Sequence, residues 1–583
     1  MKISPGQIIQ SRFPLALAAG LLLAAAFPKI GVAGFAWIAP GLMLTAALGR
    51  DGAEGFRLGY VAGLAHYLTS LYWLLLIPYR WRGIPLGPAF GWLALSAYLA
   101  LFPAMWVWLA LKISNFKFQI SNPPRPDWPS AFEQISALAW SRRMLWTFYC
   151  AASWVALEMI LVRLLGGFPW NLLGTSQYRM GPLIQLASVT GVYGVSFLVV
   201  WTSVSLLGAA AVMVRRPGVR SVWLGEMIFP MLTVAATFAW GFHKIAHTPP
   251  AAREVKVTLI QPSIPQTLIW NPDNDTERFQ ALLRLSEAAL TNETDLLVWP
   301  EAAIPKMLRY HEEIFRGVTQ LARAHHVWMI VGSDDAEPRA GAKNRDDASY
   351  FNSAFLISPS GELVDRYCKR NLVIFGEYIP LVRWLPFLKW FTPIDGGFTP
   401  GTNAVQFALE LATEHRPPTR PGTNSVDQLA GPEAGAPSET RRIKVAPLIC
   451  YEDTFPQLGR EAANDDTDFL VNLTNDGWFG EGAAQWQQAA GATFRAVENG
   501  RPLVRCANTG LTCWMDEAGG LREIFADNSG SVYGAGFITL KIPLVENRTP
   551  TFYHQHGDWF GWGCVALTAL AVVRSLFTRP TAR

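Results

Sequence analysis

Apolar residues are distributed unevenly along the chain. Eight apolar stretches are each about long enough for a helix of roughly 20 residues to cross a bilayer. They cover residues 13–28, 32–49, 58–78, 87–111, 145–166, 183–213, 222–242 and 561–577. The pattern predicts a polytopic membrane domain of seven transmembrane helices over 1–243, and a C-terminal transmembrane helix with a cytoplasmic tail over 556–583.

The intervening block, residues 244–555, has a different pattern. Short β-branched runs alternate with helical segments there, and the runs lie at 255–260, 296–299, 326–332, 353–357, 444–449 and 468–473. Strands that alternate with helices predict a layered α/β domain. Periodicity alone does not separate a doubly wound sheet from a four-layer sandwich. Residues 114–135 and 409–442 are polar and lack periodicity, which predicts flexible inserts.

Composition and charge agree with a membrane protein. Half of the 583 residues are apolar, 24 are Trp and only 16% are charged. The net charge of +4 is small and spread over loops, which gives no nucleic-acid signal. With the N-terminus inside, about fifteen Lys and Arg residues fall on the cytoplasmic side and about six in the opposite short loops, which places 244–555 outside the cytoplasm. The six cysteines are sparse and lack metal-ligand spacing, so no structural metal is expected.

Three segments of the block end at groups with catalytic chemistry. An apolar run stops at Cys450, another delivers Glu301 after Trp299 and Pro300, and Lys369 stands at the end of a predicted hairpin. A free thiol has a pKa of about 8.5, so it needs a base and a nearby cation to react. Glu301 can take the proton, and Lys369 can stabilise the thiolate and an oxyanion. The three residues predict acyl transfer through a thioester.

Other assignments of these residues stay open. A buried structural thiol is the alternative for Cys450, and a surface carboxylate is the alternative for Glu301. Cys368 is a rival nucleophile beside Lys369, but neighbours on a strand point to opposite faces, so only one of the two enters the site. Arg370 is a competing cation, although it holds its proton too tightly to shuttle it.

These residues carry a resemblance to a known superfamily. The order Trp-Pro-Glu at 299–301, then Lys369, then Cys-Tyr-Glu at 450–452 resembles the nitrilase, or carbon–nitrogen hydrolase, superfamily. Its membrane-bound branch, the bacterial apolipoprotein N-acyltransferases, is similar at further strings: 264–266, 367–373, 375–380, 475–480 and, in the membrane part, 167–174. The resemblance covers most of the chain. It implies an αββα sandwich with a Glu301–Lys369–Cys450 triad.

The resemblance also implies roles for residues around the triad. Glu377 and Glu452 match acids that orient the triad lysine and tune proton transfer. Tyr451, Trp270 and Trp478 match positions near the substrates. Core packing or a purely structural role is the alternative for each of the five.

The implied reaction has two steps and two lipid-anchored substrates. A phospholipid acylates Cys450, and the acyl chain then passes to the α-amino group of the diacylglyceryl-cysteine that begins an apolipoprotein. The expected location is the bacterial inner membrane with the catalytic domain facing the periplasm, and neither a cofactor nor a second subunit is expected. Residues 371–400, where Asn371 and Ile374 replace a His and a Pro of the family pattern, suit a lid at the membrane interface or an ordinary core-packing loop.

Two other functions compete with this one. A membrane-anchored amidase or nitrilase acting on a small amide would use the same triad with water as the second nucleophile. A transporter or scaffold with an inactive domain would carry buried ionisable residues along its spans, for which Glu158, Arg163 and His66 are the candidates.

Overall fold

The structure is a computed structural model that describes residues 12–78, 86–113, 128–215, 223–269, 271–339, 348–382, 384–386, 397–412, 440–546 and 548–577. Within these residues the chain forms a helical region, then a domain of two β-sheets, and finally a helix that packs back on the helical region.

The helical region places a helix in each predicted apolar stretch. Its helices are α1 (Phe13–Ala25), α2 (Ala39–Ala47), α3 (Gly52–Ser70), α4 (Gly87–Leu99), α5 (Leu101–Ile113), α6 (Trp128–Ala137), α7 (Trp140–Leu161), α8 (Gly181–Ile184), α9 (Ala187–Thr190), α10 (Val192–Arg215) and α11 (Leu224–Ala246). By length and composition, four helical stretches of the described residues are suited to cross a membrane: Gly87–Lys112, Trp140–Leu161, Val192–Val214 and Leu224–Ala246. The eight crossings therefore stay a prediction.

Small residues allow the first helices to pack closely. A Cβ atom added at Gly59 of α3 would lie 2.8 Å from the Cα of Ala104, and one added at Gly63 would lie 2.8 Å from the Cα of Ala100. Close backbone approach through small residues is a common way for apolar helices to associate, because lipid removes the hydrophobic drive between them. The glycines of α3 thus set its distance from the α4–α5 segment.

The second region consists of two six-stranded sheets. Their strands are β1 (Arg253–Gln261), β2 (Leu296–Val298), β3 (Trp328–Pro338), β4 (Ala348–Ile357), β5 (Leu363–Cys368), β6 (Phe407–Ala412), β7 (Thr440–Ile449), β8 (Phe469–Thr474), β9 (Leu503–Ala507), β10 (Cys513–Met515), β11 (Leu521–Ile524) and β12 (Gly536–Leu544). The first sheet has the order β12-β1-β2-β3-β4-β5 and the second the order β11-β10-β9-β8-β7-β6. The helices are α12 (Gln266–Ile269), α13 (Asp275–Ala289), α14 (Glu312–His325), α15 (Pro456–Ala462) and α16 (Ala484–Asn499).

Three apolar cores separate the layers of this region. The central core joins the facing sides of the two sheets, with Val298 of the first and Val445 of the second among its members. A second core lies between the first sheet and α13 and α14. A third lies between the second sheet and α15 and α16. The arrangement confirms the predicted αββα sandwich and excludes a doubly wound sheet.

The strand directions bring the predicted catalytic residues to one edge of the sandwich. Strands β1, β2 and β3 are parallel, and so are β7, β8 and β9. Strand β5 is antiparallel to β4, which is antiparallel to β3, so β5 runs in the direction of β2. Glu301 follows β2, Lys369 follows β5 and Cys450 follows β7. All three residues therefore stand at carboxyl ends of strands.

The predicted inserts are shorter than the sequence indicates. The composition of residues 114–135 predicts a flexible insert, but the last part of this segment belongs to α6, where Ala131 and Ile135 are buried in the apolar core. The segment 409–442 overlaps β6 up to Ala412 and β7 from Thr440. The ends of this segment are ordered because β6 and β7 form an antiparallel ladder, which the polar composition did not indicate. The middle of each segment lies outside the described residues.

The C-terminal segment returns to the helical region through α17 (Phe552–His556) and α18 (Trp559–Phe577). Asp558, between these two helices, forms an ion pair with Arg163. Glu158 of α7 accepts hydrogen bonds from the indole of Trp154 at 3.0 Å and from the backbone N–H of Leu173 at 2.7 Å. Arg163 and Glu158, two of the three residues considered for a transport pathway, thus form an ion pair or hydrogen bonds with local partners.

Candidate active site

Cys450 lies in a tight turn directly after β7. Its φ of 56° is in the left-handed region, which is uncommon for a residue other than glycine. Two side-chain amides hold its carbonyl oxygen: Asn472 donates through Nδ2 at 3.0 Å and Gln488 through Nε2 at 3.0 Å. Such backbone strain is maintained only where surrounding contacts determine the conformation. The turn therefore presents the thiol at the edge of the sandwich.

Glu301 is buried, with 7% of its surface exposed, and both of its oxygens are occupied. Oε1 accepts hydrogen bonds from Asn352 Nδ2 at 2.7 Å and from Lys369 Nζ at 3.4 Å. Oε2 accepts one from the backbone N–H of Asn475 at 2.9 Å. The negative charge of this carboxylate also acts on Cys450, where it raises the pKa of the thiol. These contacts hold the carboxylate beside Lys369 and beside the start of the segment that follows β8.

Lys369 is fully buried among acidic groups. Its Nζ lies 2.8 Å from Glu377 Oε1 and 3.4 Å from Glu301 Oε1, and it lies 5.5 Å from the centre of the Tyr451 ring. Its backbone N–H donates to the carbonyl of Asn352 at 2.8 Å, which continues the ladder beyond β5. The ammonium is therefore fixed by two carboxylates and an aromatic face.

The rival groups beside Lys369 have other contacts. Cys368 Sγ lies 3.6 Å from Ser353 Oγ, which is consistent with the alternation of strand faces. The guanidinium of Arg370 forms an ion pair with Glu461 at 2.7 Å. Glu301 and Glu377 thus pair with Lys369 rather than with Arg370.

Burial and charge set the protonation of the triad. Burial raises the pKa of Glu301, the Lys369 ammonium opposes that rise, and the Glu377 carboxylate adds to it. Burial, together with the negative charge of Glu301, raises the pKa of Cys450 well above its ordinary value, although Lys369 opposes the rise. Burial lowers the pKa of Lys369, but Cys450, Glu377 and Glu301 raise it further, so the net pKa is well above the ordinary value. These shifts favour an ammonium on Lys369 and a protonated thiol on Cys450 at neutral pH.

The two acids expected to support the triad, Glu377 and Glu452, differ in how they contact Lys369. Glu377 contacts Lys369 directly and also accepts a hydrogen bond from the backbone N–H of Val373 at 2.8 Å. Glu452, expected to orient Lys369, instead accepts from the backbone N–H groups after that lysine, on Arg370 at 2.7 Å and Asn371 at 3.1 Å.

The other oxygen of the Glu452 carboxylate joins two strands. It accepts hydrogen bonds from the hydroxyl of Tyr367, in β5, and from the backbone N–H of Ile449, the last residue of β7, each at 2.8 Å. Glu452 therefore connects the strand ends that carry Lys369 and Cys450. The orienting role of Glu452, which only the resemblance suggested, stays a prediction; its contacts are with the backbone around Lys369 and Cys450 rather than with the Lys369 ammonium.

Sequence reasoning missed two asparagines and one aspartate. Asn352 donates through one nitrogen to both Glu301 and Glu377, the second contact at 3.1 Å. Asp334 lies opposite it in the β3–β4 ladder, and burial together with the charges of Glu301 and Glu377 raises the pKa of Asp334 to about 7. Asn475 begins one of the family strings, which was the available signal. Asn352 and Asp334 lie within strands whose sequence pattern contains no sign of a functional role.

The three aromatic residues of the prediction have different outcomes. Tyr451 donates a hydrogen bond from its hydroxyl to the carbonyl of Leu372 at 3.0 Å, which connects the turn at Cys450 to the segment after Lys369. Trp478 is half-buried in the short turn Asp476–Phe479 that follows β8. Trp270 lies outside the described residues. The placement of Tyr451 and Trp478 beside the strand ends is compatible with substrate contact.

The described residues contain no cluster of three or more His, Cys, Asp or Glu side chains arranged to hold a metal ion. The six cysteines, all within the described part of the chain, are free thiols. The groups described above at the site are a thiol, two carboxylates and an ammonium.

Comparison with known proteins covers both regions of the chain. Residues 19–205 match the apolipoprotein N-acyltransferase N-terminal domain, and residues 256–539 match the carbon–nitrogen hydrolase domain. An apolipoprotein N-acyltransferase of Geobacter metallireducens is 34% identical over 97% of this chain and 95% of its own length. One of Methylococcus capsulatus is 30% identical over 96% and 95%.

Among solved structures, a mutant of Nesterenkonia AN1 amidase, from the nitrilase superfamily, aligns with a TM-score of 0.35 and 15% identity, over 53% of this chain and 95% of that one. The family match rests on the sequence relatives, which extend through the helical region and the sandwich alike. The chain belongs to the apolipoprotein N-acyltransferase family.

Proposed function

We propose that this N-acyltransferase moves an acyl chain from a membrane phospholipid, through a thioester on Cys450, to the α-amino group of the diacylglyceryl-cysteine at the start of an apolipoprotein. The observation that carries the proposal is the buried Lys369 ammonium, which the carboxylates of Glu301 and Glu377 hold close enough to Cys450 for these charges to act on its thiol. That geometry suits nucleophilic attack on an acyl carbon.

In the first half-reaction, the sulfur of Cys450 attacks the ester carbonyl of the phospholipid while Glu301 takes the thiol proton. The ammonium of Lys369 stabilises the oxyanion of the tetrahedral intermediate. The ester C–O bond then breaks, and the proton on Glu301 passes to the leaving oxygen. A lysophospholipid departs and an acyl-enzyme remains.

In the second half-reaction, the α-amino group of the acceptor attacks the thioester carbonyl. The nitrogen loses a proton to Glu301 as the C–N bond forms, and the C–S bond breaks. The thiolate of Cys450 regains the proton, which restores the enzyme and releases an amide. No cofactor enters either step, because a thioester holds enough free energy to form an amide.

The membrane region explains how both substrates reach one thiol. The family and the apolar helices identify a bacterial membrane protein. Each proposed substrate is lipid-anchored, so each arrives by lateral diffusion. The proposed inner-membrane location and periplasmic orientation rest on the Lys and Arg bias of the loops.

Exposed apolar side chains on the segment that follows Lys369 in the chain support an approach from the lipid. Phe375 is 40% exposed, Leu381 63% and Trp384 82%. Large exposed apolar residues on one segment mark a surface that contacts another apolar phase. This agrees with a lid at the membrane interface, while residues 387–396 of the predicted segment lie outside the described residues. We propose that the enzyme acts as a monomer.

The test measures where the acyl chain goes. The detergent-purified full chain is incubated with a phospholipid labelled in its acyl chain and a diacylglyceryl-cysteinyl peptide, and labelled amide and labelled free fatty acid are counted separately. The proposal predicts amide as the main product, none with Cys450→Ala, and wild-type yield with Cys368→Ala. Fatty acid without amide would instead establish a hydrolase, and absence of both would support an inactive domain.

A further inference from the structure

A relay of side-chain amides connects the segment before α12 with Glu301. It begins at Asn508, whose Oδ1 accepts from the backbone N–H of Ile264 at 3.0 Å and whose Nδ2 donates to the carbonyl of Ile264 at 2.8 Å. Backbone partners have fixed donor and acceptor roles. The two contacts therefore settle which end of the Asn508 amide is oxygen and which is nitrogen.

The polarity of Asn508 fixes that of the next two amides. Asn508 Nδ2 also donates to Asn475 Oδ1 at 3.1 Å, so the other end of the Asn475 amide is its nitrogen. Asn475 Nδ2 then donates to Gln266 Oε1 at 2.9 Å, while the backbone N–H of Asn475 donates to Glu301 Oε2 at 2.9 Å. The relay therefore leaves Gln266 Nε2 as its free end.

Gln266 Nε2 is a buried donor. Gln266 is only 7% exposed, and within the described part of the chain its amide nitrogen has no hydrogen-bond acceptor. Rotation of the amide cannot correct this, because it would set a nitrogen against Asn475 Nδ2. Unpaired buried polar groups are rare, and one found beside an active site calls for a ligand that completes it.

We propose that Gln266 is a substrate-binding residue whose Nε2 donates a hydrogen bond to a carbonyl oxygen of the substrate. A donor fixed in this way selects an acceptor, and both proposed substrates carry ester carbonyls, while the lipopeptide also carries an amide. One asparagine separates this donor from the catalytic base, so the bound carbonyl lies near the reacting atoms. The inference rests on the proposed function and names a contact within the same site.

Two variants remove the donor in different ways. Gln266→Glu keeps an oxygen for Asn475 Nδ2 and replaces the donor by an acceptor, whereas Gln266→Met removes both contacts without adding charge. Each variant is expected to lower kcat/KM about 10- to 100-fold, because a buried carbonyl of the substrate loses its hydrogen-bond donor. Gln320→Met, on the exposed side of α14, is the control and leaves kcat/KM at the wild-type value.

The half-reactions identify the source of the carbonyl. Single-turnover acylation by a labelled phospholipid measures the first step, and discharge of the acyl-enzyme by a diacylglyceryl-cysteinyl peptide measures the second. If the donor binds the phospholipid, both variants slow acylation only; if it binds the lipopeptide, they slow discharge only. A substrate with an ether in place of the bound ester then lowers the wild-type rate but leaves Gln266→Met unchanged.

A structural role gives another result. If Gln266 only supports the relay, Gln266→Glu retains wild-type rates in both half-reactions, and Gln266→Met lowers the melting temperature without any dependence on the ether substitution. Either finding overturns the inference while the wild-type enzyme still forms amide. Failure of the wild-type enzyme to become acylated would overturn the proposed function itself, and this inference with it.

Discussion

Two helices that cover the outer faces of the two sheets differ in what lies beyond them. Helix α14 is amphipathic: Ile314, Val318 and Leu321 face the first sheet, and its other side is exposed. In α16, on the second sheet, every residue except Trp486 is buried. A helix buried on all sides must pack against a further layer, and here that layer is the helical region.

Consecutive glutamines of α16 show how it joins the two regions. Gln487 accepts hydrogen bonds from the indoles of Trp73 at 3.1 Å and Trp170 at 2.8 Å, and it donates to the carbonyl of Pro28 at 2.8 Å. Gln488 points to the sandwich, where it donates to the carbonyl of Cys450 at 3.0 Å. Adjacent positions on a helix face different directions. The turn that contains Cys450 is therefore positioned by the same helix that contacts the helical region.

The ion pairs of the two helices repeat the contrast. On α16, Arg495 and Glu498 are 2.7 Å apart and both are buried, and Glu498 also accepts from the backbone N–H of Val192 at 2.8 Å. On α14, Arg316 and Glu312 are 2.6 Å apart and both are exposed. Similar spacing in sequence thus gives a surface pair in one helix and an interface pair in the other.

The largest effect is expected when the buried pair is broken. Arg495→Met leaves Glu498 buried without its cation, which costs about 3–5 kcal/mol. Arg316→Met is the matched control and costs about 0.5 kcal/mol or less, because water already solvates that pair. Thermal unfolding in detergent measures both. Equal changes in melting temperature would contradict the assignment of α16 to an interface.

A smaller loss is expected at the glutamine that contacts the membrane helices. Gln487→Leu leaves two indole N–H groups and two carbonyls without a partner, at a cost of about 3 kcal/mol. We expect kcat to fall about tenfold as well, because α16 also positions the Cys450 carbonyl. Gln320→Leu on α14 is the control. A full loss of stability with unchanged kcat would show that the membrane contact does not influence the nucleophile.

The smallest effect concerns a carboxyl group at the active-site end of the first sheet. The pKa of Asp334 is raised to about 7 from an ordinary value of 3.8. Its contribution to stability is therefore complete below about pH 4 and lost as pH rises toward 7. Asp334→Asn stays neutral at every pH. The melting temperature of this variant relative to the wild type should therefore rise as the pH increases from about 4 to 7. Glu313→Gln, on the exposed side of α14, controls for loss of charge alone; a difference for Asp334→Asn that does not change with pH would contradict the assignment.

How much the sequence reveals differs between the same two regions. Reactive residues at the ends of apolar runs predicted the edge where Glu301, Lys369 and Cys450 meet, because parallel strands bring their carboxyl ends together. The sequence did not predict that the polar side of α16 is buried. Glutamines that face an interface and glutamines that face water produce the same pattern of apolar and polar positions. Asn352 was missed for a related reason: its role comes from a neighbouring strand far away in the sequence.

The central claim is that the acyl chain rests on Cys450 between the two half-reactions. The most direct measurement is peptide mapping of the enzyme by mass spectrometry after it is mixed with phospholipid alone. We predict an acyl group on the peptide that contains Cys450, removed by hydroxylamine and transferred as an amide to a diacylglyceryl-cysteinyl peptide. An acyl group on Cys368 only, or amide formation while Cys450 stays unmodified in every sample, would contradict the account.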